Sequence, residues 1–132
     1  MNMHALADRL THEHHTLDHL CWEVYKAIDA GDRATAMARF REFEAMCEPH
    51  FQAEDEDLFV EVVAHDERLR VHAEDMAREH DQLRQLTARM AEELGKPFTE
   101  ETMFHCERLL RVLRGHAQKE ELLLFSKAGV SA

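Results

Sequence analysis

The sequence predicts an all-α protein, an antiparallel up-down-up-down four-helix bundle built from two duplicated helical hairpins. Three observations carry this. The 132 residues include only 4 Gly and 2 Pro, so turns are few and helices long. Four segments repeat apolar residues at steps of three and four. The second half of the chain also matches the first at a constant offset of 66, with no gap. The length suits one domain, residues 1–132, made of repeats 1–66 and 67–132.

The first helix is expected over residues 3–30, with Leu6, Leu10, His14, Leu17, Cys21, Val24 and Ile28 on one face. Gly31 suits its C-terminal cap and Asp32 the next N-cap. The second helix is expected over 33–64, burying Phe40, Phe43, Met46, Cys47, His50, Glu54 and Leu58. Pro49 should kink it or remove a hydrogen bond just before His50. The third runs over 66–94, with Leu69, Met76, His80, Leu83, Met90 and Leu94 inward, and Gly95 and Pro97 end it. The fourth runs over 99–127, with Glu100 and Glu101 favourable in its first turn and Leu109, Val112, His116, Glu120 and Leu123 inward. Short linkers make neighbouring helices antiparallel.

Composition excludes several classes. With 27 acidic and 16 basic residues the chain carries −11, which opposes nucleic acid and anionic membrane surfaces as partners. No apolar run reaches the ~20 residues of a membrane span. Met1-Asn2-Met3-His4 lacks the basic and apolar regions of a signal peptide, so a cytoplasmic location is expected. Three cysteines, an odd count without a Cys-x-x-Cys pair, argue against a zinc ribbon and a disulfide framework.

The matches between halves fall on polar residues at core positions. Eleven positions agree, among them Glu13-His14-x-x-Leu17 with Glu79-His80-x-x-Leu83, and His50-x-x-x-Glu54-x-x-x-Leu58-Phe59 with His116-x-x-x-Glu120-x-x-x-Leu124-Phe125. A His and a Glu four residues apart lie about 40° apart around a helix and roughly 6 Å apart along it, so both reach one point beside it. Two such pairs on the second and fourth helices face each other, and His14 and His80 complete the ring. Buried glutamates and histidines are costly without a partner, and two cations relieve that cost. Each metal then takes two histidines, with both carboxylates bridging. Iron fits this donor set, and so do zinc, manganese and nickel.

These motifs resemble the hemerythrin-like HHE cation-binding domain over essentially the whole chain. The resemblance implies a non-haem di-iron cofactor, two iron ions bridged by oxo or hydroxo, with His14 and His50 on one iron and His80 and His116 on the other. Glu54 and Glu120 would bridge. Two departures separate the chain from the oxygen-carrying members. Arg84 stands where those carry a second histidine on the third helix, and His116-x-x-x-Glu120 replaces His-x-x-x-x-Asp. The four-His, two-Glu set is more similar to the iron-centre repair and nitric-oxide-stress branch, whose usual extra N-terminal domain with a cysteine pair this chain does not include. The expected activity is binding, sensing or reaction of a small ligand such as oxygen, nitric oxide or hydrogen peroxide. An iron donor or chaperone and a metal-stabilised interaction module are the alternatives, with a homodimer or an unknown protein as partner.

The remaining residues read more plainly. His4, His12, His15, His19, His65 and His72 have no repeat partner and are expected in solvent, with His15 the alternative to His14 if the first helix is rotated. His105 and Tyr25 fall three turns from His116 and His14, as rim or channel residues. Cys21 and Cys47 read as small buried residues rather than a redox switch or guard thiol. Met46 and Met90 fill the core. Trp22 lies off the inward stripe, which suggests an exposed patch or dimer contact. In the run Glu54-Asp55-Glu56-Asp57 only Glu54 is placed as a ligand, the others as a solvated face.

Overall fold

A computed structural model describes residues 2–127, all helical or in turns between helices. Helix α1 (Met3–Asp29) is capped by Asn2, whose side chain accepts from the Ala5 N–H. It ends in a Schellman turn. The Gly31 N–H reaches the Ile28 carbonyl at 3.0 Å and the Asp32 N–H reaches Ala27 at 2.8 Å. Gly31 sits at φ +70°, where a Cβ would be strained. Asp32 then caps α2 (Arg33–Gln52), accepting from the Thr35 N–H.

The second rod continues as a π-helical segment (Ala53–Leu58) and α3 (Phe59–His65). Pro49 has no N–H to give its helix, as expected, yet it does not end it. Pro49 lies inside α2, which continues past it to Gln52, and the change of geometry comes at Ala53. A 3-10 turn (Glu67–Leu69) leads into α4 (Arg70–Leu94). Thr99 and Thr102 then form a reciprocal capping box at the start of α5 (Glu100–Glu120), which ends in a second π segment (Glu121–Phe125).

Helix α1 packs against α2 and α5, and α4 packs against α5 and α2, so α1 and α4 are diagonal. Arg33, at the start of α2, donates to the Leu94 carbonyl and, at 2.6 Å, to that of Lys96, and it lies 4.1 Å from the Phe98 ring. The end of α4 and the start of α2 therefore share one end of the bundle, which fits the four-helix, up-down-up-down order.

Two apolar clusters fill the interior. One runs from Leu17 to the α1–α2 turn and takes in Phe40, Phe43, Phe51, Met90 and Leu109. The other gathers Leu6, Leu10, Leu58, Phe59, Met76 and Leu124 at the opposite end. Leu123 and Val112, expected inward, are only partly buried. Leu113 and Leu124 are buried instead. The wider turn after Glu120 carries the inward face to Leu124 and Phe125, as it does at Leu58 and Phe59. Trp22 is partly exposed and stacks on Tyr25. Among the described residues no helix is long and apolar enough to cross a membrane.

Replacing Gly31 by Ala creates no clash, since nothing lies within 4 Å of the added Cβ. The cost is backbone strain alone, about 1–2 kcal/mol. Urea unfolding of Gly31→Ala should show that loss, and unchanged stability would mean the turn relaxes freely.

Candidate metal centre

His14, His50, Glu54, His80, His116 and Glu120 come together at one level, between the two apolar clusters, and none is more than 6% exposed. The i, i+4 spacing aims His50 and Glu54 at one point from the second rod, and His116 and Glu120 do the same from α5. Helices α1 and α4 add His14 and His80 from opposite corners. His15, the alternative to His14, is exposed, as are His4, His12, His19 and His65.

The carboxylate oxygens are divided between the two sides. Glu54 Oε2 lies 3.1 Å from His14 Nε2 and 3.2 Å from His50 Nε2, while its Oε1 lies 2.8 Å from His80 Nε2. Glu120 mirrors this. Its Oε2 is 2.9 Å from His116 Nε2 and 3.2 Å from His80 Nε2, and its Oε1 is 2.9 Å from His14 Nε2. Two four-residue groups result, His14, His50, Glu54 and Glu120, then Glu54, His80, His116 and Glu120. In each, one donor atom per residue lies within 4.8 Å of the others.

Each imidazole is held on its far side by a further carboxylate. His50 Nδ1 donates to Glu13 Oε1 at 2.8 Å, and His116 Nδ1 to Glu79 Oε1 at 2.9 Å. His14 Nδ1 donates to Glu121 Oε2 at 2.8 Å, and His80 Nδ1 to Asp55 Oδ1 at 2.9 Å. The first two contacts lie within a hairpin and the last two cross between hairpins. All four recur at the offset of 66. Asp55, read from the sequence as solvated, is therefore a partner of His80, and Glu121 is a partner the sequence did not single out. At the π segments consecutive acids take the two nitrogens of one imidazole, Glu54 at Nε2 and Asp55 at Nδ1 of His80, and Glu120 and Glu121 likewise at His14. Glu54 turns into the ring and Asp55 out to His80, as Glu120 and Glu121 do toward the ring and His14.

The outer carboxylates fix the chemistry. An ionised carboxylate only accepts, so each Nδ1 is the donor and a neutral ring presents the lone pair of Nε2 inward. That lone pair meets another carboxylate oxygen. Acceptor faces acceptor in a dry interior unless a cation lies between. Glu54 Oε1, Glu120 Oε1 and His116 Nε2 are buried with no hydrogen-bond partner. Phenylalanine rings close the layer. Phe125 stacks on His14 with centroids 5.2 Å apart, Phe59 on His80 at 5.9 Å and Phe51 on His80 at 4.4 Å.

Without metal, protons fill the role of the cation. Burial lowers the pKa of His14, but hydrogen bonds and charge from Glu120 and Glu54 outweigh it and raise the pKa to about 10. At His80 burial again opposes, and Asp55, Glu120 and Glu54 raise it to about 11. His50 rises too, against burial, through Glu54. Burial pushes the Glu54 carboxyl up, yet His14, His50 and His80 hold it well below its usual range.

Other candidate residues lie elsewhere. His105 faces Glu101 and the buried Glu93. There Arg89 lies 3.3 Å and Lys96 3.7 Å from Glu93, so cations of the chain already answer the carboxylates. Cys21, Cys47 and Cys106 are free and buried. Burial, with Glu48 and Glu44 nearby, pushes the Cys47 thiol up to about 12, and Cys21 rises through its contact with Cys106 and burial. Neutral buried thiols are poor nucleophiles, which fits core packing. Arg84 pairs with Glu48 at 2.5 Å and Asp81 at 2.6 Å, away from the ring.

Fold and site together define a helical bundle with a buried histidine–carboxylate cluster of the kind that holds cations. The family model for the hemerythrin HHE cation binding domain matches residues 5–128, and the chain belongs to that family. Neither the curated proteins nor the solved structures contain a match to it. Membership implies binding of metal, iron in particular, and the two His/Glu groups fit such an ion.

Two outcomes are expected of this geometry. His14 and His80 have folded pKa values above the ordinary 6.5, so protonation stabilises the metal-free fold fully below about 6.5. That contribution is lost as pH rises through about 10 and 11. Urea unfolding of metal-free protein from pH 6 to 11 should show falling stability, and a flat profile would contradict the pairing. Separately, Asp55→Asn and Glu121→Gln should each weaken metal binding roughly ten- to a hundredfold. Chelator competition measures this, and unchanged affinity would make the outer acids bystanders.

Proposed function

We propose that His14, His50, Glu54, His80, His116 and Glu120 hold two iron ions. The protein then binds, senses or reacts with a small ligand such as oxygen, nitric oxide or hydrogen peroxide in a cytoplasmic stress response. The carrying observation is the inward meeting of imidazole lone pairs with carboxylate oxygens, on two sides of one layer. In this reading His14 and His50 serve one ion, His80 and His116 the other, and Glu54 and Glu120 bridge. The chain is read as two copies of one hairpin, residues 1–66 and 67–132, each supplying one histidine pair and one bridge.

A redox-active metal pair supplies electrons and an open coordination position for the ligand. Each position counts two imidazoles and two carboxylate oxygens, fewer than the six donors of an octahedral ion. The chain's own residues do the rest. The outer acids orient the rings and make them stronger donors, and Phe51, Phe59 and Phe125 keep the layer dry. Burial of all six side chains favours a resident centre over an iron donor that must release quickly.

The test is iron content with an absorption spectrum, followed by titration of the reduced protein with oxygen, nitric oxide and peroxide. About two irons per chain is the stoichiometry expected of paired histidine–carboxylate sites. Near-ultraviolet charge-transfer bands that respond to one of the ligands would complete the support. A single zinc, or an iron pair silent to all three ligands, would overturn the reading. His50→Ala should remain folded and lose metal, whereas unfolding would favour a structural role for the centre.

A further inference from the structure

We propose that a depression of about 270 Å³ formed by Arg9, Glu13, Ala45, Met46, Pro49 and His50 is the port through which a hydrated divalent cation enters the centre. This rests on the reading of the six residues as metal ligands. All six are nearly or wholly buried, so an arriving ion needs a route through the bundle surface. His50 is a wall of this depression and also a member of the ring, so the port ends at a ligand.

The lining suits a cation. Glu13 is partly exposed, and its Oε1 accepts from His50 while its Oε2 points to Arg9 at 3.6 Å. That second oxygen is the one offered at the mouth. Pro49 has no N–H, so the Ala45 carbonyl, one turn earlier on the same wall, lacks its usual helical donor. A carboxylate oxygen and a carbonyl oxygen are hard donors that can replace water around a divalent ion. The path then runs along Glu13 to His50 and inward to its Nε2.

The other hairpin differs at the matching places. Gly115 stands 66 residues beyond Pro49 and has an N–H to give. Lys119 pairs with Glu79, the counterpart of Glu13, and sets an ammonium on the approach to His116. In the first hairpin Arg9 stands 3.6 Å from Glu13, a longer contact, and Asp75 takes the place of Arg9 in the second. Formal charge balances at both places, Arg9 against Glu13 beside His50, and Arg78 and Lys119 against Asp75 and Glu79 in the other depression; what sets the first apart is that His50 itself lines it, whereas His116 does not line the second.

The test is stopped-flow uptake of Co²⁺ by the metal-free full chain, followed by the visible bands of the bound ion. Ala45 is exposed, so Ala45→Trp fills the port from its rim without disturbing the core. It should slow uptake about tenfold and leave the final stoichiometry unchanged. Arg9→Ala removes the cation at the mouth and should speed uptake, up to about tenfold at low salt. Ala64→Trp and Gln82→Trp fill depressions beside Asp55 and Glu79 and should load at the wild-type rate. Wild-type loading by Ala45→Trp, or equal slowing by Ala64→Trp or Gln82→Trp, would overturn the port. Full cobalt uptake by His50→Ala would instead overturn the metal-centre reading beneath it.

Discussion

Four imidazoles in one dry layer, each with its outer nitrogen already committed to a carboxylate, set the terms for the rest of this structure. The outer bonds leave each inner nitrogen with a lone pair, and two further carboxylates face those lone pairs. Such a layer is unstable when neutral and bare, because buried polar atoms without partners cost free energy. Positive charge must be present, as protons on the rings or as metal between them. The high pKa values of His14 and His80 and the low one of Glu54 are three views of that demand.

The fold meets the demand by dividing its core. Apolar clusters lie above and below the polar layer, and each includes side chains from both hairpins. At one end of the bundle the Schellman turn at Gly31 fixes where α1 stops and the capping box at Thr99 fixes where α5 begins. That matters because a slip of one residue along any rod would carry a ring nitrogen out of the layer. The two π segments complete the fit. They let Glu54 and Glu120 face inward while the very next residues, Asp55 and Glu121, reach across to the other hairpin's histidine.

Most of this was legible in the sequence, and the reasons are physical. Long helices follow from period and from the scarcity of turn formers, and the two His-x-x-x-Glu pairs announce their shared face through helix geometry. The repeat separates His14 from its neighbour His15, because only His14 has a counterpart at His80. Asp55 and Glu121 were not legible. Their role depends on a change from α to π geometry and on contact between hairpins, and neither leaves a spacing signal. Leu123 was assigned inward and Leu124 found there for the same reason, since an α-helical count fails after Glu120. Glu13 and Glu79 were visible as repeated letters, yet a letter does not say which ring nitrogen it will hold.

The symmetry is close at the ring and breaks one step outside it. Glu13 and Glu79 hold equivalent histidines at nearly equal distances. Their outer oxygens differ in company. Glu79 is bound to Lys119, and although burial pushes its carboxyl up, Lys119 and His116 together hold it below its ordinary value. Glu13 has a looser contact with Arg9. An ammonium beside the supporting carboxylate withdraws negative field from His116, while His50 keeps more of it. The two halves of the centre thus share one donor set and differ in the field around it. The sequence matches at an offset of 66 cover the donors. The differences lie outside them, Ala53 opposite Lys119, Pro49 opposite Gly115 and Arg9 opposite Asp75, and they change which charged groups stand beside the two supporting carboxylates.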